Sequence, residues 1–418
     1  MPIQAFFQQF NNPFATLKNP NFRLYWLAMF VSSMGIWMQN VAQPWLAYSM
    51  TDSPLLLGIV SAVQFLPLLL FSVFAGVLID RFPKKLLFMF NQTLAAFLPL
   101  IMFLLIYTNQ IRYWHILIIA FFIGTVNVIS LPLRHVFISE LVDKEYLLNA
   151  VALYSTAFNF ARIIGPALAG FIMAGLGIGI CYLINGMTFL IVVASLFFIK
   201  TKAVEKKPIA PHTVITDVKD GVIYALRNSR IRDILFVLTV TGTFAINYSV
   251  LLPVLANEIV NQKEIGFGLL MSMVGIGTFL GAFTVAASSK NGPRKLFLFK
   301  APLIMGVLLI FIGICRKNYL IYAALALTGF FYVSFSSTAS TALQIYSPNH
   351  YIGRILSLYN LVLVGTSPLG NLFSGAITNQ LGIYWGFIAC GLGVFISYSI
   401  YFFYQIAFFR KDKVVSSG

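Results

Sequence analysis

Acidic residues are scarce. Twelve Asp plus Glu stand in 418 residues, and charged residues of all types make up 10% of the chain. A soluble domain carries roughly 25% charged residues, so this composition cannot cover a water-facing surface of the required area. Cysteine is nearly absent too. Cys181, Cys315 and Cys390 each fall in an apolar run with no second Cys or His at ligand spacing, which excludes a disulfide framework and a zinc site and leaves them as small core residues. The four histidines, His115, His135, His212 and His350, are scattered with no acid at useful spacing. No catalytic residue, metal or cofactor is therefore expected, and a membrane enzyme acting on lipid is disfavoured. The N-terminus has no basic stretch and no cleavage-site pattern, so the first apolar run is expected to remain as an anchor.

What is present is apolar. Hydrophobic residues make up 59% of the chain, Phe alone occurs forty-one times, and the mean hydropathy is +0.87. A bilayer removes the need for a polar surface, and a helix crosses its hydrocarbon with about 20 apolar residues. Gaps between charges then act as a ruler. Arg23 to Asp52 and Asp52 to Asp80 each hold one span, and further spans are expected near 86–107, 114–137, 147–175, 180–199, 234–255, 265–287, 296–315, 319–342, 354–378 and 383–407. The expected fold class is an all-α membrane protein with twelve transmembrane helices.

The net charge of +16 could suggest nucleic acid, but its distribution is topological. With the N-terminus inside, twenty-three Lys and Arg fall on the cytoplasmic side, against only Arg112, Lys263, Arg316 and Lys317 outside. The positive-inside rule thus places both termini in the cytoplasm of a multi-pass inner-membrane protein, and a nucleic-acid partner is not expected. Two polar segments carry apolar stripes at helical spacing. Ile3, Phe6, Phe7, Phe10, Phe14 and Leu17 form one, and Val214, Ile215, Val218, Val222, Ile223 and Leu226 the other; both read as helices in the membrane interface.

The second stripe lies in the longest polar segment, which divides the chain into an N-terminal six-helix half (1–199), a cytoplasmic linker (200–232) and a C-terminal six-helix half (233–418). The halves look related. Leu141 to Ser155 overlays Tyr346 to Asn360 at an offset of 205, matching Leu153 to Leu358 and Tyr154 to Tyr359, and the same offset carries Gly76 onto Gly281. An offset near half the chain length is expected of two pseudo-symmetric bundles around a central site.

The turn after the second span reads Gly76-Val-Leu-Ile-Asp80-Arg81-Phe-Pro83-Lys84-Lys85. It resembles the signature loop of the major facilitator superfamily, with Pro83 where Gly is usual. An acid here can hold the positive N-terminal end of a helix from the other half, the eleventh above all, or pair with Arg354. Gly76, Asp80, Arg81, Lys84, Lys85 and Arg354 are therefore expected to form a conformational latch on the cytoplasmic side.

In the fifth span, Ala157, Ala161, Gly165 and Ala169 lie four apart, giving a smooth face expected to pack against Gly277 and Gly281 of the eighth. Gly165, Pro166 and Gly170 are read as packing residues, with Pro166 able to bend the helix. Arg162 is counted as the only charge near mid-membrane. Burying it costs at least about 2.5 to 3.5 kcal/mol, so it should face the protein interior or a watery cavity, with Asn159 on its face. It reads either as an anion clamp or as a structural donor to carbonyls freed near Pro166. Gln39, Gln43, Asn127 and Asn247 are the remaining pocket candidates, with interhelical hydrogen bonding the alternative. Aromatic stripes are read as lipid-facing. All twelve acids fall at helix ends or in loops, so Asp80, Glu140 and the neighbouring His135 are the coupling candidates.

Further stretches sharpen the resemblance: Gly35-Ile-Trp37-Met38-Gln39-Asn40, Leu131-Pro-Leu-Arg134 leading to Glu140, and Leu148-Asn149-Ala150 continuing to Ala161-Arg162-Ile-Ile-Gly165-Pro166. They are similar to the bacterial drug and siderophore exporter branch of the superfamily, which includes enterobactin-type and macrolide exporters. The resemblance implies export of bulky amphipathic compounds, commonly driven by proton entry; a monomer working by alternating access is expected. Uptake of a small solute, or a non-transporting sensor of the same fold, are the rival readings.

Overall fold

The computed structural model describes residues 14–200, 214–260, 262–287, 292–348 and 351–415, with side chains described outside 72–77, 80, 214–220, 259–260 and 402–415. Among the described residues there are only helices and their connections. In chain order they are α1 (Pro20–Thr51), α2 (Pro54–Arg81), α3 (Lys84–Tyr107), α4 (Tyr113–Leu141), α5 (Leu147–Leu176), α6 (Ile178–Phe198) and α7 (Val214–Arg227). There follow α8 (Ser229–Phe244), α9 (Tyr248–Leu255), α10 (Lys263–Ala287), α11 (Ala301–Ile314), α12 (Asn318–Tyr346), α13 (Ile352–Gly365), α14 (Ser367–Leu381) and α15 (Ile383–Val415).

Eleven segments among the described residues are long and apolar enough to cross a membrane. The first helix is not one of them. At 32 residues α1 is about 48 Å long, ample for a bilayer, but Gln39, Asn40 and Gln43 dilute its apolarity, and Gln39 and Gln43 are buried. It is a span-length helix that buries Gln39 and Gln43 among its neighbours while Asn40 stays exposed, completing twelve. Two spans are interrupted: α8 and α9 form the seventh, broken at Ala245–Asn247, and α13 and α14 the eleventh, broken at Thr366. Large apolar side chains such as Phe90, Phe97, Phe171, Phe197 and Phe283 stand exposed along the helices, as they must where lipid is the solvent.

The chain forms two compact units, Met1–Met50 with Leu66–Pro211, and Thr51–Phe65 with His212–Gly418. In the first, Tyr25, Phe88 and Phe137 form a buried aromatic knot with centroids 5.4 to 6.2 Å apart. Helix α3 packs on α6, where a Cβ on Gly186 would lie 2.6 Å from Leu100. In the second unit, α11 packs on α15 in the same way, a Cβ on Gly313 falling 2.8 Å from the Tyr384 carbonyl. The third and sixth spans thus pair as the ninth and twelfth do, which is the packing counterpart of the internal sequence repeat.

Both interfacial segments meet protein where they are described. Ile3 to Phe10 lie outside the described residues, but Thr16 is buried, with its Oγ1 donating to Asn149 Oδ1 at the start of α5. Helix α7 covers the linker stripe. Its Tyr224 stacks on Tyr351 at 4.3 Å and its Ala225 is buried in the core of the second unit.

Candidate substrate site

Helix α5 carries Arg162 midway along its length. Its residues Tyr154, Phe158 and Arg162 are spaced four apart, so they rise along one face. Helix α1 is drawn against that face because Gly165 has no side chain: a Cβ there would stand 2.7 Å from Trp37 Cβ. The Arg162 guanidinium then lies 5.3 Å from the centroid of the Trp37 ring, within the reach of a cation–π contact. Trp37 meets Phe158 at 5.7 Å, Phe158 meets Tyr154 at 6.4 Å, and Tyr154 meets the edge of His135 from α4 at 6.1 Å. A continuous strip of four rings therefore leads to the cation. The Trp37 Nε1–H is buried with no hydrogen-bond partner.

The other pocket candidates divide. Asn127 is exposed on α4. Asn159 follows Phe158 on α5, its Nδ2 donating to the Ser155 carbonyl at 2.8 Å. Gln39 accepts a hydrogen bond from Asn185 Nδ2 of α6, joining two helices inside the first unit, and Gln43 is buried one turn further along α1. Asn247 stands at the break of the seventh span, 2% exposed. Its Nδ2 donates to the Thr243 carbonyl at 2.9 Å and lies 3.6 Å from Cys390 Sγ, which ties up the unwound turn. Interhelical bonding thus describes Gln39, and capping of a helix break describes Asn247.

Of the latch candidates, the side chains of Gly76 and Asp80 lie outside those described. Arg81 is exposed. Lys84 pairs with Glu140 at 3.3 Å, joining the start of α3 to the end of α4, and Lys85 Nζ donates to the Ile199 carbonyl at 2.8 Å. Two of the basic latch candidates therefore bind within the first unit, and the coupling candidate Glu140 has a lysine partner. Arg354 packs against Gly221 of α7 and over the Tyr351 ring.

Within the second unit, Gly277 and Gly281 pack on α12: a Cβ on Gly277 would stand 1.8 Å from the Ala326 carbonyl oxygen, and one on Gly281 2.5 Å from that of Phe330. Backbones at that distance leave room for hydrogen only. Arg134 is 5% exposed near the end of α4. The aromatic strip was not anticipated. Its one sequence signal is the spacing of Tyr154, Phe158 and Arg162 on the small-residue helix, since in an apolar chain rings facing lipid and rings facing ligand have the same composition.

The chain matches the transmembrane secretion effector family over residues 11–418. It is 26% identical over 391 residues to the staphyloferrin A transporter of Staphylococcus aureus, covering 91% of this chain and 95% of that one. With the multidrug efflux pump Tap of Mycolicibacterium fortuitum it shares 24% identity, over 84% of this chain and 88% of the pump. The fold is similar to that of the POT family transporter PepTSo, with a TM-score of 0.73 at 12% identity over 93% of this chain and 98% of that one. These relatives are multi-pass membrane transporters rather than enzymes, and the chain belongs to the transmembrane secretion effector family, in the exporter branch of the major facilitator superfamily.

Proposed function

We propose that this protein exports amphipathic small molecules by alternating access, binding them along the Trp37–Arg162 strip of α1, α4 and α5. The observation that carries the reading is a mid-helix cation next to four rings: the rings supply apolar area and the cation a directional contact, a combination suited to molecules with both characters. The related multidrug pump and siderophore transporter support the same class of cargo. Asn127 and Asn159 provide amide groups to the site.

Both termini are placed in the cytoplasm on the charge distribution, in a bacterial inner membrane, with two six-helix halves that rock around the site. In that orientation the start of α2 is its outer end. Ser53 Oγ bonds Asn379 Oδ1 at 2.9 Å, and Ser61, Ser249 and Asn371 form a chain of hydroxyl and amide contacts at 3.3 and 3.4 Å. Gly58 and Gly375 bring the backbones of α2 and α14 together beside them. This seam supports a closed outer gate, which export requires to open. The latch at Asp80 is its proposed counterpart on the inner side.

Coupling to protons remains part of the reading through Asp80, Glu140 and His135. The test is reconstitution into proteoliposomes with a labelled amphipathic compound, with and without an imposed pH gradient. Gradient-dependent movement toward the outer face supports the reading. Movement of a small solute inward only would assign an uptake permease.

A further inference from the structure

Where α7 meets α8, α12 and α13 in the second unit, the chain is rich in cations. Residues 221–232, 292–300 and 341–356 carry seven Lys and Arg and no Asp or Glu. Packing fixes part of that charge in place. Gly221 lets α7 lie against α13, a Cβ there standing 3.1 Å from Arg354 Cβ, and Tyr224 stacks on Tyr351 at 4.3 Å. The last turn of α7 is thereby held beside the start of α8, whose Ile231 and Ile234 share a core with Ala225 of α7 and Leu343 of α12. Arg227 ends α7 and Arg230 opens α8. Both are exposed, and the Arg230 guanidinium lies 5.5 Å from the centroid of the Tyr346 ring at the end of α12.

The surroundings say what this corner faces. Leu226 is 60% exposed and Ile345 59%, each adjacent in sequence to a member of the corner, so the arginines border an apolar surface rather than a polar loop. Arg230 and Arg232 also stand in the first turn of α8, the end at which the helix dipole favours anions and disfavours cations. That end is itself capped: Asn228 Oδ1 accepts from the N–H groups of Arg230 and Ile231 at 3.1 and 3.4 Å, which leaves an arriving anion to the arginine side chains. Asp233 accepts from Tyr401 and lies 3.9 Å from Arg232, while Asp220 of α7 is seven positions before Arg227, about 10 Å along the helix.

We propose that this corner is a docking site for an anionic phospholipid: Arg227 and Arg230 take the headgroup phosphate, and the acyl chains run over Leu226 and Ile345. Guanidinium groups present planar, paired donors to a phosphate, and a tyrosine such as Tyr346 is at home at headgroup level. The apolar border favours a lipid over a free anion, because only the lipid also covers Leu226 and Ile345. The linker helix is then fastened to the membrane as well as to the second unit. In the orientation proposed above the site lies in the inner leaflet; the binding itself rests neither on the Trp37–Arg162 strip nor on the direction of transport.

The test is thermal unfolding of the full chain in neutral detergent, with dioleoylphosphatidylglycerol, dioleoylphosphatidylcholine or inorganic phosphate added in matched series. Phosphatidylglycerol is expected to raise the melting temperature saturably, and phosphatidylcholine and phosphate to leave it nearly in place. Arg227→Gln with Arg230→Gln should raise the half-saturating phosphatidylglycerol concentration at least about tenfold. Arg294→Gln with Lys295→Gln, which removes the same charge from a neighbouring turn, should leave it unchanged, and Arg227→Lys with Arg230→Lys should retain most of the affinity. Equal stabilisation by both lipids, or as much by phosphate alone, overturns the lipid site without any variant. An unchanged half-saturation in the Arg227→Gln, Arg230→Gln protein also overturns it, and equal losses in the two glutamine pairs assign the effect to diffuse charge instead. Each of these results leaves the exporter reading standing, since that is measured by flux.

Discussion

Trp37 and Arg162 come from helices 125 residues apart in sequence and meet at 5.3 Å because Gly165, one turn from the arginine, leaves room for α1. The contact sets the geometry on which the functional reading depends. A ring that a bound apolar body rests on contributes about 0.5 to 1.5 kcal/mol beyond its area. Trp37→Leu should therefore weaken binding of an aromatic amphipathic ligand several-fold while the protein elutes as wild type. Binding measured by isothermal titration in detergent checks this; an unchanged Kd would place the ligand elsewhere.

Close helix approach makes a prediction with an internal control. Gly277→Ala drives a methyl group to 1.8 Å from the Ala326 carbonyl, whereas nothing lies within 4 Å of a Cβ on Gly175. Overpacking costs typically about 1 to 3 kcal/mol, so Gly277→Ala should lower the melting temperature in detergent and Gly175→Ala should leave it in place. Equal effects would contradict the α10–α12 packing.

The amide pair of Gln39 and Asn185 is expected to be structural. Replacing Gln39 by Leu strands the Asn185 amide inside the first unit and should cost about 1 to 3 kcal/mol, seen as a lower melting temperature. Adding Asn185→Leu should recover most of that loss, and transport per folded molecule should stay near wild type throughout. Loss of transport in the stable double variant would return Gln39 to the substrate site.

These cases show what an apolar sequence reveals. Charges are expensive in lipid, so the gaps between them reported the spans directly, and Gly277, Gly281 and Gly165 announced close approach by having no side chain. What each small face meets was not readable: the partner of Gly277 is Ala326 of α12, forty-nine positions away, and no periodicity encodes that choice. Facing was lost for a related reason. Lipid and protein interior are both apolar, so Phe158 of the strip and Phe171, exposed on the same helix, look alike in sequence. The first helix inverts the problem, because its buried amides made it less apolar than its neighbours although it sits among them.

The outer seam can be locked. Ser61 Oγ and Ser249 Oγ stand 3.3 Å apart, so Ser61→Cys with Ser249→Cys should cross-link under mild oxidant. The proposed gate then predicts arrested transport that a reductant restores, with each single cysteine variant active. Full transport by the cross-linked protein would remove the seam from the cycle.

At the inner side, Asp80→Asn should reduce transport several-fold at unchanged protein level, as expected if its charge holds a helix end there. Lys84→Gln serves as the comparison. It breaks the partly buried pair with Glu140 within the first unit and should have the smaller effect. Equal activity of Asp80→Asn and wild type would remove the latch.

Export is the claim on which the others depend, and the direction of flux in living cells tests it most directly. Bacteria are loaded with a fluorescent amphipathic dye, de-energised, washed and re-energised, and the retained dye is followed over time with and without the protein. Faster loss and a lower steady level in cells making the wild-type chain, both abolished by Arg162→Gln at equal membrane abundance, are the predicted result. A higher steady level in cells making the protein would contradict it.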